Sequence, residues 1–252
     1  MEPTRIAIVT GTSSGIGAAV ASQLLAAGWT VIGIARRDAT EQARYRHLSL
    51  DLGDLGRASR VIEEEAGPLL HGNWERVALV NNAARTGALG PLQDVPLADL
   101  QATCTVNLAA PLWLMGFVVR HAPADAAVRI VNVSSGAAVQ PIPGLSGYCA
   151  SKAALRMAGM VFAQELEGAP STSAPARDVA ILSYEPGVVD TEMQVGARSY
   201  SERDFPWVGT FRGFKDDGML VPAEAPAAEI VAFVQSNRAS RFEERRLGGA
   251  RS

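Results

Sequence analysis

The chain has 252 residues, with 23 Lys+Arg against 26 Asp+Glu for a formal net charge of −3, and 48% of its residues are apolar. That balance supplies neither a basic stripe for nucleic acid nor a polybasic patch for anionic lipid, and the apolar share argues for a large buried core over global disorder. α/β folds of this length commonly form one unit, so residues 1–252 are expected to be a single domain.

The N-terminus, MEPTRIAIVTG, lacks the length and the small-residue cleavage site of a signal peptide, so a cytoplasmic protein is expected. Arg5–Thr10 reads as a buried strand, and Gly15–Ala27 as a helix that stops at Gly28. Thr30–Ala35 reads as a second strand and His47–Leu50 as a third. Asp54–Ala66 is a predicted helix capped by Asp51 or Asp54, followed by a loop over Gly67–Trp74. Arg76–Val80 reads as a fourth strand and Leu97–His121 as a helix pair or a kinked helix. Its longest apolar run, Pro111 to Val119, is far short of the ~20 residues that span a bilayer. A fifth strand is predicted at Val128–Val133, an Ala-dense helix at Gly147–Leu166, an exposed loop at Gly168–Pro175 and a sixth strand at Val179–Ser183. Continuous apolar strands alternating with helices predict a doubly wound (Rossmann) parallel sheet with helices on both faces.

Cys104 and Cys149 form no C-x-x-C pair and are expected to be small buried hydrophobes. His47, His71 and His121 are too scattered along the chain to suggest a metal site.

Thr10-Gly11-Thr-Ser-Ser-Gly15-Ile16-Gly17 follows the first strand and opens the first helix. Glycines here permit a tight turn and close approach of a ligand, and the helix N-terminus presents N–H groups to an anion. Ser13 and Ser14 can add hydroxyl donors. An acid about 20 residues past the glycines would hold the ribose 2′-OH of NAD. Ala35 stands at that place, followed by Arg36 and Arg37, whose planar forks suit a phosphate monoester. NADP(H) is therefore expected. Asp38 is a competing acid, further along, and two solvated surface arginines are the plainer alternative.

Tyr148-Cys-Ala-Ser-Lys152 places a phenol and an ammonium on one helix face. A nearby Lys⁺ is expected to lower the Tyr148 pKa, so that the phenol can exchange a proton near neutral pH. Ser135 ends the fifth strand at the carboxyl edge of the sheet, where open α/β folds bind ligands. Asn81-Asn82-Ala83 ends the fourth strand there too. Asn107, in an apolar stretch, needs polar partners; a satisfied helix-bending Asn is the simpler reading.

TGTSSGIG, NNA, Asn107, SS at 134–135 and YCASK come in order with familiar spacings. With them the sequence resembles the short-chain dehydrogenase/reductase family over nearly its whole length. The resemblance implies a catalytic tetrad of Asn107, Ser135, Tyr148 and Lys152. Ser135 would polarise a substrate carbonyl, Lys152 would also bind the nicotinamide ribose, and Asn107 would hold a water in a proton relay. It further implies that Gly11, Ser13, Ser14 and Ile16 line the pyrophosphate, that Asp51 and Leu52 touch the adenine, and that Asn81 and Ala83 flank the adenosine ribose. Pro186-Gly187-Val188-Val189-Asp190-Thr191 resembles the family's PG…T segment, with Val189 and Thr191 near the carboxamide. Two departures stand out. Ala84 replaces a family glycine, so its backbone must avoid dihedrals open only to glycine, and Arg241–Ser252 does not clearly reproduce the last strand.

Residues 192–222 carry Phe205, Trp207, Phe211 and Phe214 and read as a mobile lid over an apolar or aromatic carbonyl compound, the plainer alternative being that they pack the loop onto the core. DTEMQ and the segment after it resemble the branch that contains sepiapterin reductase and the bacterial benzil reductases. RRLGGARS offers no acid to anchor a pterin, which favours a vicinal diketone or other aromatic ketone. Hydroxysteroid or ketoacyl-thioester reduction remains an alternative of the same class, and a non-catalytic NADP(H) sensor one of another. The resemblance also implies a homodimer or homotetramer built on the helices before Arg120 and after Gly147, acting on a small carbonyl substrate.

Overall fold

The computed structural model describes residues 4–39, 42–168, 177–237 and 240–250. β1 (Arg5–Thr10) is buried beyond its first residue. Ile6 and Ile8 enter the core on one face while Ala7 and Val9 enter the core on the other. A strand apolar on both faces requires a layer on each side. β2 (Thr30–Ala35), β3 (Tyr45–Ser49), β4 (Arg76–Asn81), β5 (Ala127–Val133), β6 (Val179–Glu185), β7 (Phe242–Arg246) and β8 (Gly249–Ala250) complete one sheet of order 3-2-1-4-5-6-7-8. All neighbours are parallel except β7 and β8.

One face is covered by α2 (Leu55–Glu65), α3 (Gly67–Leu70), α5 (Ala110–His121) and α6 (Ser146–Gly168), the other by α1 (Gly15–Ala26) and α9 (Glu224–Gln235). The chain winds outward through β2 and β3, then returns to place β4 on the other side of β1. This reversal opens a crevice at the carboxyl ends of β1 and β4.

α4 (Leu97–Cys104) runs through a π-turn at Thr105–Ala109 directly into α5. In an unbroken α-helix the Asn107 carbonyl would accept from residue 111, which is proline and has no N–H. The wider π-turn accommodates that missing donor. The continuous stretch Leu97–His121 is long and apolar enough to cross a bilayer, contrary to the estimate from its longest apolar run. Ala110, Leu114, Phe117 and Val118 instead pack into the sheet core, and Asn107 inside the stretch is fully buried.

Several expected boundaries move. The third strand starts at Tyr45, α3 occupies part of the expected loop, and β4 and β6 extend to Asn81 and Glu185. Asp54 is the cap of α2, its Oδ1 accepting from the Arg57 N–H at 3.1 Å, whereas Asp51 accepts from Gly53. The expected lid folds into α7 (Glu192–Arg198) and α8 (Val208–Asp216). The last strand is present as β7. Its FEERR sequence hid it, because the charges are paired: Arg156 holds Glu244 with Nε and Nη2 at 2.5 and 2.7 Å, and Arg245 holds Glu243 at 2.8 Å. The expected loop Gly168–Pro175 lies, after Gly168, outside the described residues.

The cysteine and histidine expectations also change. Cys104 is exposed and Cys149 half-buried, both free. His121 Nδ1 meets His71 Nε2 at 3.0 Å while its Nε2 meets Glu63 at 2.9 Å, so two of the histidines are neighbours. Among the described residues no group of three or more His, Cys, Asp or Glu is arranged for a metal.

Candidate active site

The crevice is one cleft of about 1380 Å³ running along the carboxyl edge of the sheet. Pockets for drug-sized ligands run to roughly 1000 Å³, so this volume suits a dinucleotide together with a smaller molecule.

At one end the turn after β1 enters α1. Gly15 has φ +56°, and a Cβ on Gly17 would stand 2.3 Å from the Gly11 carbonyl oxygen. Both positions therefore require glycine. Ser14 caps α1 without a side-chain bond, and the first turn carries no acid, which leaves its N–H groups for an anion. Thr10 joins this turn to β4: its Oγ1 accepts from the Asn82 and Ala83 N–H groups at 3.0 and 2.9 Å.

Gly11, Ser13, Ser14, Gly15, Ile16, Arg36, Arg37, Asp51, Leu52, Ala83, Pro186, Gly187, Val189 and Thr191 all line the cleft, with Ser135, Tyr148 and Lys152. Three expected residues do not. Gly17 is buried beneath the turn and serves packing. Asn81 turns its side chain into the core, donating to Asn132 Oδ1 at 2.9 Å, and Asn82 takes its place on the wall. Asn107 lies under the site: its Oδ1 accepts the Arg85 N–H, and its Nδ2 donates to the Arg85 carbonyl and to Ser151 Oγ at 2.8 and 3.0 Å. Ala84 keeps a negative φ, since Arg44 is the one non-glycine residue with positive φ among those described. The missing family glycine thus leaves no backbone strain.

At the adenine end, Arg36 is exposed and its guanidinium has no hydrogen bond or ion pair among the described residues. Arg37 pairs with Glu192 at 3.2 Å and reaches Ser13 at 3.4 Å. A phosphate monoester there would meet two cations. Deeper in, the Ser134 hydroxyl is buried on the cleft wall with no hydrogen-bond partner among the described residues, a polar group left for a bound molecule. The glycine cradle, the open helix N-terminus, the paired arginines and this hydroxyl fit a nicotinamide dinucleotide.

Tyr148 and Lys152 come from successive turns of α6, and both are buried. Burial pushes the Tyr148 phenol up to about 12; a hydrogen bond with Ser135 opposes this, and neighbouring Cys149 adds to it. Burial brings Lys152 down to about 8, and its Nζ donates to the Val133 carbonyl at 2.7 Å. The expectation that Lys152 lowers the Tyr148 pKa is overturned here. The ammonium lies 5.7 Å from the ring centroid and is engaged elsewhere, so desolvation dominates. The phenol is consequently a proton donor at neutral pH.

The four lid aromatics divide. Phe205 is fully buried with Leu145, Tyr148 and Val208, while Phe211 and Phe214 continue from it edge-to-face into the cleft wall beside Trp207. Sequence reasoning missed Asn82, Ser134, Gln140, Glu185 and Arg246 on the wall. For the first two the signal was adjacency to a named motif residue. Arg246 had none, because its strand was unreadable.

A family model described as short chain dehydrogenase matches residues 5–201. The chain is 33% identical over 233 residues to benzil reductase ((S)-benzoin forming) of Bacillus subtilis (strain 168), covering 90% of this chain and 92% of that one. It is 31% identical over 256 residues to sepiapterin reductase of Meriones unguiculatus, covering 92% of each. A crystal structure of a short-chain dehydrogenase/reductase from Burkholderia vietnamiensis superposes with a TM-score of 0.66 at 31% identity, covering 81% of this chain and 94% of that one. Sheet order, phosphate turn, Ser–Tyr–Lys geometry and these matches agree: the chain belongs to the short-chain dehydrogenase family, as an oxidoreductase of the Rossmann fold.

Proposed function

We propose that this protein is an NADPH-dependent carbonyl reductase acting on an aromatic ketone or vicinal diketone. The observation that carries the reading is the buried Tyr148, one turn before Lys152, facing the same cleft as Ser135, with Trp207, Phe211 and Phe214 on the outer wall. The likeness to benzil reductases supports the diketone, and Arg36 beside Arg37 supports the 2′-phosphate.

When bound, the reduced dinucleotide supplies a hydride to the carbonyl carbon. Ser135 orients and polarises the carbonyl oxygen. Tyr148 then gives that oxygen its proton, completing the alcohol. The Lys152 ammonium, fixed by the Val133 carbonyl, would hold the nicotinamide ribose in place. Asn107 spends its side chain on Arg85 and Ser151, so a relay water would fall to its main-chain carbonyl, which Pro111 cannot engage as an α-helical donor.

The same reading treats the chain as one domain, working in the cytoplasm as a homodimer or homotetramer, without nucleic acid or membrane. Leu97, Leu112, Met157 and Val161, exposed on α4, α5 and α6, support a subunit contact there. The test is a turnover panel of vicinal diketones, a pterin, a steroid ketone and a ketoacyl thioester, each with NADPH and with NADH. Diketone reduction with NADPH preferred is expected. Thermal stabilisation by NADPH with no turnover on any compound would replace the reading with that of a non-catalytic sensor.

A further inference from the structure

We propose that Glu185 is a specificity-determining residue, which rewards ketones carrying a hydroxyl or N–H donor next to the reacting carbonyl. The inference rests on the reductase reading of the same site. Glu185 is the last residue of β6, two places beyond Ser183 on the face that α6 covers, and it lines the cleft. Its carboxylate packs against Gly136, the residue after Ser135, where a Cβ would stand 3.1 Å from Glu185 Oε1. Gln140 Oε1 lies 3.9 Å from the same point. Two acceptor oxygens thus lie about Gly136, one residue from Ser135, in a cleft that Ile142, Leu145 and the lid aromatics also wall. Arg246 stands beside Glu185 in register on β7, and it also faces the cleft.

This corner is amphipathic in a directional way. A ring on the substrate finds the aromatic wall. A donor on the carbon next to the carbonyl finds a carboxylate, and hydrogen bonds to charged acceptors are the strong ones. A second carbonyl oxygen at that place would meet like polarity and gain nothing from Glu185. The fold therefore separates the aromatic recognition that any aryl ketone obtains from a polar recognition that only a donor-bearing ketone obtains.

The experiment compares 2-hydroxyacetophenone with 1-phenyl-1,2-propanedione, for wild type, Glu185→Leu and Glu185→Gln, with NADPH. For Glu185→Leu, kcat/KM on the hydroxyketone is expected to fall about ten- to hundred-fold, the loss of one charge-assisted hydrogen bond, mainly through KM. On the diketone it should stay within twofold or rise. Glu185→Gln, which keeps one acceptor, should fall between. Calorimetric titration of 2-hydroxyacetophenone into the NADP⁺-loaded proteins should show the same weakening without turnover, and unchanged NADPH binding would exclude general damage. An equal fall on both ketones, or no change on either, overturns the role of Glu185 alone. A wild type inactive on both ketones overturns the reductase reading and this inference with it.

Discussion

Asn107 clamps the peptide of Arg85 from both ends, accepting its N–H at 2.9 Å and donating to its carbonyl at 2.8 Å. A third bond, to Ser151 Oγ, reaches α6, the helix that carries Tyr148 and Lys152. The residue therefore locks the exit of β4 to the catalytic helix. Arg85 itself pairs with Asp99, whose other oxygen accepts the Ala88 N–H. The loop behind the cleft is thus held by side chains at both of its ends.

Asn107→Ala strands the part-buried Arg85 N–H and carbonyl and leaves the void of a fully buried side chain. Each unmet buried group costs about 1–3 kcal/mol, so a loss of about 2–4 kcal/mol is expected, with a lower thermal midpoint and reduced turnover. Denaturant unfolding measures it; an unchanged midpoint would show that the clamp is dispensable.

Tyr148→Phe removes the proton donor and leaves the ring packed with Leu145 and Phe205. Turnover on an accepted ketone should fall by about 10²–10⁴-fold, with NADPH affinity and stability close to wild type. Steady-state kinetics beside NADPH titration decides it, and substantial residual turnover would remove Tyr148 from the reaction.

The buried pair sets a pH profile. Lys152 is brought down to about 8, so ketone reduction should decline as pH rises through that value and the cation is lost. The stability sign is opposite. Between about 8 and the ordinary lysine value near 10.5 the unfolded chain binds more protons, so stability contributed by this group rises with pH. Tyr148, raised to about 12, reverses the slope above its ordinary value near 10, because the folded form then binds more protons. Lys152→Met should abolish the step in activity near pH 8, together with most turnover. Rate profiles over pH 6–10 test this.

Arg36→Ala takes away a guanidinium with no other engagement among the described residues. KM for NADPH should rise about tenfold while that for NADH stays within twofold. Equal use of both dinucleotides by the wild type would refute the arginine reading at its root.

Met157→Asp with Val161→Asp puts charge on the exposed apolar face of α6. The double variant should shift the protein toward monomer in sedimentation velocity while its secondary structure is retained. A wild type that is already monomeric would refute the contact.

Periodicity made β1, β2, β4, β5 and β6 legible, because strands buried on both faces must be apolar throughout. β7 was illegible for the opposite reason. Its Glu243, Glu244 and Arg245 are stabilised by ion pairs, one of them with Arg156 nearly ninety residues away, and no local pattern reports a distant partner. The cleft residues within motifs were readable by name, but their directions were not. Asn81 and Asn82 are adjacent in the chain, yet strand alternation sends one to Asn132 and the other to the cleft. The lid aromatics likewise read as a group, although Phe205 belongs to the core and Trp207 to the wall.

By itself the sequence determined the doubly wound sheet, the phosphate turn and the set of residues that meet at its edge, because backbone geometry and burial impose those patterns locally. The tertiary structure alone decided the protonation of that set and its polar neighbours. Desolvation of Tyr148 and Lys152 depends on everything packed around them, and the approach of Glu185 to Gly136 joins the end of one strand to the turn after another, far apart along the chain.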